Sequence, residues 1–146
     1  MIVDGYGDLA VMEFGFPGEL RDRLIAAVLT RAKTATTGLL VEYELDGSPL
    51  PHAGDRLVVV DSHERPVAVI ELTDVRVLRL DDVDIATARD EGEGFSSVKE
   101  WRVDHEAFWN SYADDLRARL EDPSWTLSDD TLVVIERFHL IGELDT

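Results

Sequence analysis

Lys33 is one of only two lysines in a chain with twelve arginines, and Thr34, Thr36 and Thr37 follow it closely. A lysine desolvated in a pocket gives up its proton more readily and can serve as base or nucleophile, and a neighbouring hydroxyl can then be activated. In an extended chain Lys33, Ala35 and Thr37 share one side while Thr34 and Thr36 share the other; a turn would instead bring Lys33 and Thr36 together. The plainer alternative is a solvated lysine closing a helix. The residues alone leave both open.

Glu91 and Glu93 flank Gly92 ahead of an aromatic-rich segment. Acids on a glycine-containing loop can reach a ligand or act as general base; in a chain this acidic they can also be plain solvated carboxylates. Trp101, Arg102 and His105 share one stretch, where a tryptophan and a guanidinium could stack on a nucleobase or, equally, belong to the core. The chain has no GxSxG, GxxxxGK[ST], HExxH or GxGxxG pattern. Its four histidines, at 52, 63, 105 and 139, never pair at i, i+4, and no cysteine is available as metal ligand or nucleophile. No metal site and no cofactor is expected.

The elements that must position these residues follow from periodicity. Leu20, Leu24, Ala27 and Val28 form one stripe of a helix running from Glu19 to about Arg31, after which the β-branched stretch at Thr34–Thr37 turns extended. Residues 39–45 fit a strand or a short helix. Arg56–Val60 and Val67–Thr73 read as a hairpin whose second strand resumes at Val75–Leu80 after a bulge. Residues 82–90 suit a short helix. Ser96 or Ser97 caps a helix carrying Trp101, His105, Phe108, Trp109 and Tyr112, expected to continue to about Leu120, and Leu132–Ile141 is a last strand. Helices and a majority of antiparallel strands predict an α+β fold built on a small barrel.

Size and charge bound the function. The chain has 146 residues, 45% of them apolar, which suits one domain with its own core. The 31 acidic against 14 basic residues give a net charge of −17, unfavourable for long polyanions such as duplex nucleic acid. Arg21, Arg23, Arg31 and Lys33 form a locally basic stretch, either an anion site or a helix face paired with nearby acids. No apolar run is long enough to span a membrane and the first residues lack the pattern of a signal peptide, so a cytoplasmic location is expected.

At Lys33 the chain also resembles a known family. Arg31-Ala32-Lys33-Thr34-Ala35-Thr36 is similar to the Gly-x-Lys-Thr-x-Thr motif of ASCH domains. Glu42-Tyr43-Glu44, Gly47-x-Pro49-Leu50-Pro51-x-x-Gly54-Asp55, Ala88-x-x-Glu91-Gly92-Glu93-Gly94, Trp101-Arg102-x-x-His105-x-x-Phe108 and Glu136-Arg137-Phe138 extend the likeness from about Phe14 to Ile141. The resemblance implies a PUA-like fold, a small, mostly antiparallel β-barrel with helices around a cleft, spanning 14–146 behind an N-terminal extension at 1–13. It implies association with RNA or nucleotides. One bacterial branch hydrolyses N4-acetylcytidine with a Thr, a Lys and a Glu; carried over, these are Thr36, Lys33 and Glu91. A neutral Lys33 would take the proton of Thr36, and Glu91 would hold Lys33 or handle the proton of the leaving amine. Thr34, Thr37, Tyr43, Glu93, Trp101, Arg102, His105 and Arg137 are then the expected substrate contacts, for a nucleoside-like ligand or a short single-stranded RNA. The alternatives are a non-catalytic RNA- or nucleotide-binding module and a metal-assisted ribonuclease. One departure matters: the family glycine before the lysine is Arg31, which adopts a left-handed helix end only at some cost.

Overall fold

The computed structural model describes residues 9–144, so the first eight positions of the expected N-terminal extension lie outside it. The order is β1 (Ala10–Met12), α1 (Glu19–Leu29), β2 (Ala35–Leu39), α2 (Leu40–Leu45), β3 (Arg56–Val60), β4 (Pro66–Arg79), α3 (Ile85–Asp90), α4 (Val98–Asn110), α5 (Ala113–Leu120) and β5 (Leu132–Glu143). A turn of 3-10 helix at Leu80–Asp82 precedes α3. The five strands form one sheet in the order β1-β3-β4-β5-β2; β1 runs parallel to β3 and every other pairing is antiparallel. This is the expected α+β architecture. The strand β1 falls within the stretch read from sequence as an extension.

Two long strands set the curvature. The bulge expected near Thr73 is present: β4 shifts register against β5 between Leu72 and Asp74, and again between Val69 and Ile70. Each bulge bends the strand and sharpens its twist. The edge strands β1 and β2 are not hydrogen-bonded to each other, yet Met12 and Gly38 line the same cavity. The sheet is therefore barrel-like, with an open seam where its edges face each other across a cleft.

Two apolar clusters hold it together. One packs Leu24, Ile25 and Val28 of α1 with Phe14, Ile70 and Phe138. The other gathers Trp101, Trp109 and Leu116 from α4 and α5 over Leu39, Val133 and Ile135. In α4 the spacing of four puts Trp101, His105 and Trp109 on one buried stripe. Fully burying a large apolar side chain contributes about 1.5–3 kcal/mol. Ser97 caps α4 by accepting from Glu100 N, and Glu100 in turn accepts from Ser96 N and Oγ.

The aromatic helix differs from expectation. It stops at Asn110 and restarts at Ala113 instead of continuing to Leu120. The hydroxyl of Ser111 donates back to the carbonyl of Phe108, the local competition that makes Asn-Ser pairs poor helix interior. The extended alternative holds after Lys33, since Ala35–Leu39 pairs in register with Val133–Arg137. The charges of the locally basic stretch have partners within the protein. Arg21 is buried and donates to the carbonyls of Phe14, Gly15 and Asp61, Arg31 donates to Leu140 O, and Arg23 pairs with Glu93.

Candidate functional site

Lys33 and Glu91 are brought together by two unusual backbone positions. Arg31 ends α1 in the left-handed region at φ 68°, where glycine is at ease and a side chain costs about 1–2 kcal/mol. Its guanidinium bond to Leu140 O partly offsets that. Opposite, Gly92 has φ 75°, and a Cβ there would lie 2.7 Å from the backbone of Ala32 and Lys33. Only glycine lets the loop after α3 press against the start of β2. Thr34 N donates to Asp90 O at 2.7 Å and closes that contact.

The result is a buried ionic cluster. Lys33 and Glu91 are each 2% exposed. Lys33 Nζ donates to Ala35 O at 2.8 Å, to Glu91 Oε1 at 3.2 Å and to Glu91 O at 3.3 Å. Three acceptors match the three protons of an ammonium. Glu91 Oε2 accepts from Trp101 Nε1 at 2.6 Å and from Thr37 Oγ1 at 2.9 Å, with His105 Nε2 at 3.1 Å. Burial pushes the Glu91 carboxyl up, but the Lys33 charge and the bonds from His105 and Trp101 hold it down at about 2.

His105 has an acceptor at each ring nitrogen: Nδ1 lies 2.9 Å from Trp101 O and Nε2 faces the Glu91 carboxylate. An acceptor at each nitrogen favours the form protonated on both, the imidazolium. Burial alone would lower its pKa; the Glu91 carboxylate and the Trp101 carbonyl raise it instead. Trp101 stacks on the imidazole with centroids 4.2 Å apart.

Above this floor opens a cavity of about 400 Å3 lined by Lys33, Thr36, Thr37, Glu91, Glu93, Asp104, His105, Phe108 and Trp109. Its size falls in the range of small-molecule sites. Glu93 enters it with its side chain largely buried, and that burial first, then Glu91 among the charges, raises its pKa. A wider cavity of about 720 Å3 adjoins it, sharing Gly15, Thr36, Thr37, Phe108 and Trp109. Tyr43 lies there and donates to Glu136 at 2.7 Å, and Tyr112 donates to Glu42 at 2.6 Å. Burial raises the pKa of both tyrosines and both acids. Phe16, Phe108 and Tyr112 form an aromatic wall, with ring centroids 5.0–5.5 Å apart.

Of the residues expected in the site, Lys33, Thr36, Thr37, Glu91, Glu93 and His105 converge on the smaller cavity, and Trp101 supports it through Glu91. Tyr43 is in the neighbouring one. Three residues are not brought in. Arg102 is tied to Asp81, Glu106 and Asp129. Arg137 is held by Asp90 and Thr87, and Thr34 lines neither cavity. Glu42 and Glu136, which stand in the quoted motifs without a role, and Phe16, whose one signal was an aromatic just ahead of α1, line the wider cavity.

Glu91, Glu93 and His105 present one potential ligand atom each, all within 4.8 Å of one another. As arranged, Glu91 is engaged by Lys33, Thr37, Trp101 and His105, so a metal would have to displace some of these contacts and any proton on the facing ring nitrogen.

Among the described residues no helix is long and apolar enough to cross a membrane. A search of curated proteins gave no match. Among solved structures, the chain is similar to a protein of Enterococcus faecalis V583, with 26% identity, a TM-score of 0.78 and 92% of this chain covering 77% of that one. It is also similar to an ASCH domain from Lactobacillus crispatus JV V101, with 26% identity, a TM-score of 0.69 and 86% of this chain covering 76% of that one. The family model of the ASCH domain matches residues 10–142, nearly the whole chain, and the protein belongs to the ASCH domain family.

Proposed function

We propose that the smaller cavity binds a nucleoside-like ligand, as a free nucleoside or within a short single strand, and hydrolyses the amide of an N-acylated base such as N4-acetylcytidine. The observation that carries this reading is the buried Lys33–Glu91 pair on the floor of a cavity that Thr36 also lines. Thr36 is the nucleophile. Its hydroxyl makes no side-chain hydrogen bond among the described residues and is free to meet an acyl carbon, whereas that of Thr37 is engaged by Glu91. In this reading Lys33 is not the base that the resemblance implies. An Nζ with three acceptors offers no lone pair, so Lys33 supplies positive charge beside the oxyanion that forms during acyl transfer. Glu91 fixes that charge in place. A cytoplasmic location belongs to the same reading.

The test is deacetylation of N4-acetylcytidine by the purified protein, followed by chromatography. Turnover lost in Thr36→Ala and Lys33→Ala is the expected result; none in the wild type, or turnover indifferent to both substitutions, overturns it. The saturated hydrogen bonding of Lys33 also favours a second reading, a pocket that binds a base without reacting. Saturable nucleoside binding in calorimetry with no product formed would select that reading.

A further inference from the structure

We propose that Glu93 is the catalytic residue that carries protons in this site, and that Glu91 is a positioning residue. This rests on the hydrolase reading for its substrate but not for its chemistry. Three acids line the smaller cavity: Glu91, Glu93 and Asp104. Both carboxylate oxygens of Glu91 are committed, one to Lys33 and the other to Thr37, Trp101 and His105. A carboxylate so held is a weak base, because protonating it would break those bonds in a buried site. The Asp104 side chain is 52% exposed. Glu93 differs from both. Its side chain is 12% exposed, and its one ionic contact among the described residues is a 3.6 Å approach from Arg23, itself 65% exposed.

The surroundings suit a group that must both take and release a proton. The charged groups facing Glu93 are Lys33 before β2, Glu91 on the loop after α3, Asp104 and His105 on α4, and Arg23 on α1. Burial raises its pKa first, Glu91 and Asp104 add to that, and Lys33 and His105 oppose it. A carboxyl raised toward the working pH is a more effective acid–base catalyst than one held far below it.

One carboxyl then suffices for the whole cycle. Glu93 carboxylate accepts the Thr36 hydroxyl proton, directly or through one water, as Oγ1 bonds to the acyl carbon and the carbonyl electron pair moves onto oxygen. As that pair returns, the C–N bond breaks and the Glu93 carboxyl delivers the proton to the departing nitrogen. A water then attacks the Thr36 ester and gives its proton to Glu93, which passes it to Oγ1 as the ester bond breaks. One amide and one water become one carboxylic acid and one amine, with Glu93 restored.

The experiment compares wild type with Glu93→Gln, Glu93→Asp and Thr36→Ala in two assays, after melting curves establish that each variant is folded. The first is turnover of N4-acetylcytidine, where Glu93→Gln should lower kcat by about 10²–10⁴ and Glu93→Asp should recover part of it. The second needs no natural substrate: a fluorophosphonate probe is followed by mass spectrometry of the Thr36 peptide. The wild type should be labelled at Thr36, faster as pH rises through the titration of Glu93. Glu93→Gln should be labelled at least tenfold more slowly, with no such pH dependence. If N4-acetylcytidine is untouched but Thr36 labels in a Glu93-dependent way, the substrate reading fails and the Glu93 assignment stands. Equal labelling of wild type and Glu93→Gln, or no labelling of either, overturns the assignment.

Discussion

Trp101 donates its indole N–H to Glu91 Oε2 at 2.6 Å, tying the first turn of α4 to the loop that holds Lys33. Both partners are buried, so the bond is shielded from water. Replacing Trp101 by Phe keeps an aromatic ring but removes the donor. A hydrogen bond to a charged group contributes about 1.5–3 kcal/mol. Trp101→Phe should therefore lower the urea unfolding free energy by about that amount, and should raise the pKa of Glu91 as a donor is lost. Equilibrium unfolding at neutral pH checks the first, and a shift of the acid transition to higher pH checks the second.

The same cluster gives stability a peak in pH. Glu91 is depressed from 4.5 to about 2, so its contribution is complete above its unfolded pKa and is lost as pH falls toward 2. At 1.36 kcal/mol per unit the loss is roughly 3 kcal/mol. His105 works in the opposite sense. Its folded pKa is raised above 6.5, so its contribution is complete below 6.5 and is lost as pH rises through the folded value. Urea midpoints measured across pH should fall on both sides of a mildly acidic maximum. His105→Gln should flatten the alkaline side and leave the acid side in place. A wild-type curve that keeps rising past neutrality would contradict a raised pKa at His105.

Local pattern explains what was legible in the sequence. The α1 stripe, the β3–β4 hairpin, the Ser97 cap and the bulge near Thr73 each depend on residues close in the chain, and each is present. The pairing of Lys33 with Glu91 spans 58 residues, and only the family resemblance pointed to it. The four donors around Glu91 come from two segments, Lys33 with Thr37 and Trp101 with His105; the spacing within each was legible, but the carboxylate that joins them was not. Arg21, read as part of a basic patch, is buried because three backbone carbonyls converge on its guanidinium. Such convergence is a property of the fold and has no local signature.

Arg31 offers a test of the strained entry to the site. Arg31→Ala and Arg31→Gly both lose the bond to Leu140 O, worth about 1 kcal/mol. They differ in the left-handed backbone at φ 68°, where alanine keeps the strain and glycine does not. The glycine variant should therefore be more stable than the alanine variant by about 1 kcal/mol, the reverse of their order inside a helix. Thermal unfolding of the two side by side decides it. If alanine is equal or better, the helix end relaxes and Arg31 does not hold Lys33 in place.

Gly92 is more demanding. A methyl group there meets the backbone of Ala32 and Lys33 at 2.7 Å, and backbone cannot move aside as a side chain would. Overpacking of this kind costs about 1–3 kcal/mol, and the positive φ adds about 1 kcal/mol. Gly92→Ala should unfold markedly earlier than wild type, while Gly94→Ala, with φ 83° but open space around its Cβ, should lose only the backbone part. Equal losses in the two would mean that the contact with Lys33 carries no weight.

Net charge gives the last prediction. The chain carries −17, and Arg21, Arg31 and Lys33 of its locally basic stretch are spent on internal acceptors. A protein that neutralises phosphates loses affinity for a single strand steeply as salt rises, with a slope of about −0.7 per contact. Here the long-range term is repulsive, and salt screens it over a Debye length that shrinks from about 10 Å at 0.1 M to about 3 Å at 1 M. Binding of a short single-stranded RNA should therefore strengthen as salt is added, while binding of an uncharged nucleoside should stay nearly constant. Fluorescence anisotropy for the strand and calorimetry for the nucleoside make the comparison. An RNA affinity that falls with salt would show that the strand finds cations on this surface, and would move the binding site away from the acidic cleft.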